Sequence, residues 1–123
     1  MLLKDAKILI GDDSILARKQ LKDTLSSMGA VHFIEAVNGK EAVEKYFSEK
    51  PDIVFLDIIM PIKDGISAVE EIIKEDADAQ IIIVSSVGTQ HQLKLAIESG
   101  AKDFIQKPIK ADQIQSILSA TFD

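Results

Sequence analysis

Five polar residues stand out, four of them after apolar runs whose packing has no use for them and one after a brief mixed strand. Asp12 and Asp13 follow Lys7-Ile-Leu-Ile-Gly11, Asp57 follows Ile53-Val-Phe-Leu56, Ser85 follows Ile81-Ile-Ile-Val84, and Lys107 follows Asp103-Phe-Ile-Gln106. Three carboxylates brought within ~5 Å would repel by roughly 3 kcal/mol per pair at an effective dielectric of about 20. A hard divalent cation that prefers oxygen ligands, such as Mg2+, would relieve that repulsion. The lysine adds a fixed positive charge and the serine a hydroxyl donor. Together these groups suit phosphoryl transfer, in which cations spread the charge on the equatorial oxygens while a carboxylate oxygen attacks in line. Asp57 stands alone after its run and is the better nucleophile candidate. Asp12 and Asp13 sit together and are better placed to hold a cation.

These residues can meet only if the runs before them lie side by side. Between the runs, apolar residues recur at helical spacing: Ala17, Leu21, Leu25 and Met28; Ala42, Val43, Tyr46 and Phe47; Val69, Ile72 and Ile73; Ile114, Ile117 and Leu118. Gly29 suits a helix stop, a further helix from about Gln90 runs to the Gly100-Ala101 stop, and Asn38 with Glu41 is a capping-box arrangement. A fifth run, Val31-His-Phe-Ile-Glu-Ala36, mixes polar and apolar residues. Five strands alternating with five helices predict an α/β fold, a doubly wound parallel sheet covered on both faces. The wholly apolar runs at 8–10, 53–56 and 81–84 belong in its centre, the mixed and short ones at its edges. Right-handed crossovers then give the order 2-1-3-4-5, with ligands expected beyond the carboxyl ends of the strands.

Composition narrows the function classes. The 123 residues carry 14 Lys and Arg against 20 Asp and Glu, a net charge of −6 that opposes nucleic-acid phosphates. There is no cysteine, hence no thiolate chemistry, and no apolar run of membrane-spanning length. The start Met1-Leu-Leu-Lys-Asp5 lacks a signal-peptide layout, so a cytoplasmic location is expected. Residues 1–123 read as a single domain with no output domain attached.

Each residue also has a plainer reading. Asp12-Asp13-Ser14 could be helix-start acids with a cap, Asp57 a turn residue before Pro61, Lys107 a solvated lysine and Ser85 a turn serine. Their arrival at neighbouring strand tips favours the site. His32 and His91 are far apart with no ligand-like spacing. Leu93 and Leu95 point roughly 200° apart on a helix, so at least one is expected on the surface while Ala96 and Ile97 face inward.

In its motifs the whole chain resembles a receiver domain of the two-component response regulators. They are Ile8-Leu-Ile-Gly-Asp12-Asp13-Ser14 with Arg18, then Pro51-Asp-Ile-Val-Phe-Leu-Asp57-Ile-Ile-Met-Pro61 with Asp64-Gly65, then Ser85, then Gly100-Ala-Lys-Asp-Phe104-Ile-Gln-Lys107-Pro108. The resemblance implies that Asp57 accepts a phosphoryl group from a histidine kinase, and that the chain catalyses only its own phosphorylation and dephosphorylation. It implies Mg2+ on Asp12, Asp13, Asp57 and the backbone carbonyl of Ile59, with Lys107 pairing with the phosphoryl group ahead of a cis bond to Pro108. Ser85 would move toward the phosphoryl oxygen and Phe104 would change rotamer. That would remodel the face of the fourth helix, fifth strand and fifth helix, to which Leu93 and Leu95 could contribute. The signal would leave by contact with a protein such as a flagellar motor switch, a phosphorelay protein or a kinase. The Asp-Asp-Ser start with Arg18 and Ser85-Ser86-Val-Gly are most similar to chemotaxis-type members.

Three positions depart from that family. Gly11 replaces a branched apolar residue and is expected to loosen the chain before the acid pair. Ile59 and Val87 stand where side chains flank the path of hydrolytic water, and neither can orient water. The phosphorylated form is therefore expected to outlive that of an Ile59→Asn/Val87→Glu variant. Rival readings are a receiver of a non-chemotaxis phosphorelay, a receiver that binds partners without phosphorylation, a haloacid-dehalogenase-like phosphatase and a flavodoxin-like cofactor binder. The phosphatase wants a second acid at Ile59. The flavodoxin wants a hydroxyl- and Gly-rich loop where Asp12 and Asp13 stand.

Overall fold

A computed structural model describes residues 1–86 and 90–123. After a 3-10 turn at Leu3–Asp5 come β1 (Lys7–Gly11), α1 (Ile15–Ser27), β2 (His32–Ala36), α2 (Gly39–Glu49) and β3 (Ile53–Leu56). They are followed by α3 (Gly65–Glu75), β4 (Ile81–Ser85), α4 (Gln90–Glu98), β5 (Asp103–Gln106) and α5 (Ala111–Thr121). The strands form one parallel sheet in the order β2-β1-β3-β4-β5, as expected from the sequence.

The central strands have continuous apolar runs because successive side chains enter two different cores. Ile8, Ile10, Ile53, Phe55, Ile82, Val84 and Ile105 pack with Leu21 and Leu25 of α1 and Ile114 and Leu118 of α5. Leu9, Val54, Leu56, Ile81 and Ile83 pack on the opposite face, with residues of α2, α3 and α4. Phe104 belongs to this second face, half-buried. The sheet is therefore a rigid middle layer with every strand tip at one pole.

Local chemistry starts and stops the helices. The side chains of Ser14, Asn38 and Asp64 accept the backbone N–H of Ala17, Glu41 and Ser67 at the starts of α1, α2 and α3. The capping box at Asn38 is only half formed, because the Glu41 carboxylate pairs instead with Lys45 at 2.9 Å, one turn on. Gly29 has φ +114°, the left-handed stop expected after α1.

Two expectations need correction. Ile97 does not join Ala96 in the core: it is 45% exposed, while Ala96 is fully buried. The neighbours differ by 100° around the helix axis, so only one of them faces the sheet. Leu93 is also exposed and lies one turn before Ile97, giving α4 a short apolar stripe on its outer side. Leu95 is half-buried and lines a groove between α4 and the loop after β3, with Ile59 and Ile66. Gly11, for its part, is held rather than loosened. It pairs in register with Ala36 and Leu56, its carbonyl accepts the N–H of Asp57 at 2.9 Å, and the Leu56 side chain fills the place of its missing Cβ.

Candidate functional site

The strand tips bring the acids and the lysine together. Asp12 and Asp57 are buried, Asp13 is exposed, and one oxygen from each lies within 4.8 Å of the others. The Lys107 ammonium lies 2.7 Å from Asp12 Oδ2 and 3.3 Å from Asp57 Oδ2. It reaches them from the end of β5, across the tip of β4. Ser85 ends β4 fully buried, and its carbonyl accepts the Lys107 N–H at 2.9 Å. The Lys107–Pro108 peptide is cis, as expected. Val87 lies outside the described residues.

Each acid is fixed differently. Asp12 Oδ1 accepts the N–H of Ser14 at 2.9 Å, and Asp57 Oδ1 accepts the N–H of Ile58 at 2.7 Å. The Asp13 carboxylate has no hydrogen bond or ion pair among the described residues, although it stands beside two other acids. Burial pulls the Lys107 ammonium toward neutrality, but the Asp12 hydrogen bond and the charges of Asp57 and Asp12 outweigh it, and its pKa is raised. A raised lysine pKa gives stability that is complete below the ordinary lysine range and is lost as pH rises through the folded-state value. The Lys107 ammonium is thus charged at neutral pH.

Three carboxylates and one ammonium leave two negative charges, which a divalent cation would balance. All the donors are hard oxygens, and the exposed Asp13 leaves one side open to solvent. Mg2+, which prefers such ligands and keeps several waters, fits this donor set.

The loop after β3 is stitched to two helix starts. Gly65 donates its N–H to the Ile58 carbonyl at 2.7 Å, and a Cβ on Gly65 would overlap the carbonyl oxygen of Asp57. Gly39 donates to the Lys63 carbonyl at 2.9 Å, and a Cβ there would overlap that carbonyl. Between these stitches, the Lys63 N–H bonds the Pro61 carbonyl at 2.7 Å around Ile62, whose φ is +70°. Such a tight turn is strained for a β-branched residue. Ile62 is also 78% exposed, so little packing is lost on removing its side chain. Ile62→Gly is expected to stabilise the fold by about 0.5–1 kcal/mol. Urea denaturation checks this, and an unchanged or lower midpoint would refute it.

Comparison with known proteins now decides the family. The response regulator receiver domain family is matched over residues 8–119. The chain belongs to that family. The receiver is 45% identical over 117 residues to the chemotaxis protein CheY of Bacillus subtilis, covering 95% of this chain and 98% of the relative. It is 46% identical over 113 residues to the CheY of Thermotoga maritima, covering 92% and 94%. Among solved structures, it resembles a chain in the CheX–CheY–BeF3–Mg2+ complex from Borrelia burgdorferi. There the TM-score is 0.89 at 36% identity, covering 96% of this chain and 90% of that one. A receiver is a phosphoacceptor regulatory protein rather than an enzyme acting on an outside substrate. No helix among the described residues is long and apolar enough to cross a membrane.

Sequence reasoning found the acids, the lysine and the serine. It did not assign a role to Arg18, whose guanidinium donates to the Asp12 carbonyl at 2.7 Å and to Glu35 at 3.0 Å. No local signal marks a contact that spans 17 residues.

Proposed function

We propose that this receiver takes a phosphoryl group onto Asp57 from the phosphohistidine of a histidine kinase and relays the change to a protein partner, in a chemotaxis-type pathway. The observation that carries this is the placement of Asp57, buried at the mouth of the sheet beside Asp12 and Asp13, with the Lys107 ammonium reaching both Asp12 and Asp57. A carboxylate oxygen of Asp57 forms the new bond to phosphorus while the bond from phosphorus to the donor nitrogen breaks and its electrons leave with the imidazole. Lys107 offers its ammonium to a phosphoryl oxygen. Asp12, Asp13, Asp57 and the carbonyl of Ile59 would hold Mg2+, which supplies charge neutralisation when bound.

Relayed onward, the change would reach Ser85, Phe104 and the outer face of α4, β5 and α5, where Leu93 is exposed. The names of the relatives support chemotaxis, and the Borrelia burgdorferi complex supports partner docking together with Mg2+. A cytoplasmic location goes with a kinase donor in this reading. A flagellar motor switch is the partner class that this reading favours.

Incubation with acetyl phosphate and Mg2+ should add one phosphate-sized mass, and excess chelator should prevent it. No gain, from acetyl phosphate or from candidate kinases, would leave a binding-only receiver. The lifetime of the modified form tests Ile59, whose apolar side chain is 64% exposed beside the site. Ile59→Asn is expected to shorten that lifetime, since an amide can orient the attacking water. Equal decay rates after donor removal would refute the role.

A further inference from the structure

We propose that Arg18 is a positioning residue for the metal-holding acids, and that Glu35 on the edge strand keeps it in place. This rests on the reading that Asp12 and Asp13 hold Mg2+. Asp13 has no side-chain partner among the described residues, so its carboxylate is aimed by its backbone alone. The peptide unit that sets that backbone contains the Asp12 carbonyl and the Asp13 N–H. Arg18 grips that carbonyl from the first turns of α1 with Nη1 at 2.7 Å. The guanidinium side chain is only 12% exposed and is oriented by its second bond, Nε to Glu35 Oε1 at 3.0 Å. Meanwhile the Asp12 N–H is held by the Ala36 carbonyl at 3.0 Å, one residue after Glu35. The edge strand β2 therefore fixes the Asp12 backbone from both sides, directly through Ala36 and indirectly through Glu35 and Arg18.

Charge makes the role testable. A cation beside two metal-binding carboxylates disfavours a second cation, so losing Arg18 by electrostatics alone would tighten Mg2+ binding. Losing a group that orients metal ligands has the opposite sign, and such outer partners commonly matter tenfold or more. Glu35 balances the guanidinium charge, so the clamp adds little net charge to the site.

The test is Mg2+ titration calorimetry on the full chain, with backbone amide spectra and thermal melts of the same samples. Arg18→Gln is expected to raise the Mg2+ Kd about tenfold, and Glu35→Ala to raise it less. Arg18→Gln should also move the Asp13 amide resonance in metal-free protein. A merely structural Arg18 would lower the melting temperature and leave Kd and that resonance unchanged; that result, or tighter binding, overturns the proposal. Asp13→Asn separates the two levels. If it weakens Mg2+ while both clamp variants bind like the parent, the site reading stands and the clamp falls. If the parent itself binds no Mg2+, both fall. Should Arg18→Gln fail to fold, Arg18→Lys decides: it keeps the positive charge but lacks the planar fork that bonds the Asp12 carbonyl and Glu35 together, so a raised Kd supports the clamp and an unchanged one overturns it.

Discussion

Asp57→Asn is expected to abolish the phosphate-sized mass gain and, in metal-free buffer, to make the protein more stable. The first effect is all-or-none, because an amide cannot form the acyl phosphate bond that a carboxylate oxygen forms. The second follows from the contacts of the native carboxylate. The Asn carbonyl can still accept the N–H of Ile58, which Asp57 Oδ1 accepts at 2.7 Å, so the buried backbone donor keeps its partner. What disappears is one of three neighbouring negative charges against a single lysine. A gain of about 1 kcal/mol is expected with chelator present. It should shrink as Mg2+ is added, because the ion binds and stabilises the parent more than the variant. Melts with and without Mg2+ check the sign, and a persisting mass gain would move the acceptor elsewhere.

Lys107→Met changes the same site in the opposite direction. Methionine fills much of the same volume but leaves Asp12 and Asp57, both buried, without their ammonium. Breaking a buried pair by removing one partner leaves an uncompensated charge, and about 3 kcal/mol of stability should be lost at pH 7. That figure is the low end of the usual range because the lysine side chain is itself 25% exposed. Two features identify the cause. Mg2+ should restore much of the loss, and so should Asp57→Asn in the same chain, which removes one of the unpaired charges. A deficit independent of both would mean that the lysine acts through packing. The mass gain should also slow, since phosphoryl oxygens would face no fixed cation.

The sequence made the fold legible where packing forces a pattern. Strands buried on both faces must be apolar throughout, so 8–10, 53–56 and 81–84 announced themselves, and the mixed run at 31–36 showed an edge. Asp12, Asp13 and Asp57 were legible because such strands have no reason to end in charge, and Lys107 because it follows a strand whose tip lies near theirs. Ile97 was misplaced because apolar character does not reveal which side of a short helix a residue takes, and Ala96 already filled the inward position. Gly11 suggested slack, but neighbours on β2 and β3, distant in sequence, hold it. The Arg18–Glu35 contact and the overlap that a Cβ on Gly65 would cause are products of tertiary approach, with no periodicity to betray them.

The reach of Lys107 across β4 has a mechanical consequence. Backbone ladders join each strand only to its immediate neighbours, so β5 and β1 have no direct hydrogen-bonded connection. The lysine acts as a tie rod over the top of the sheet, anchored on β5 and pulling on the tips of β1 and β3. Its tension is electrostatic and is set by the charge at the anchorage. Any chemistry that alters that charge changes the load on a short strand that carries Phe104, three residues before the lysine.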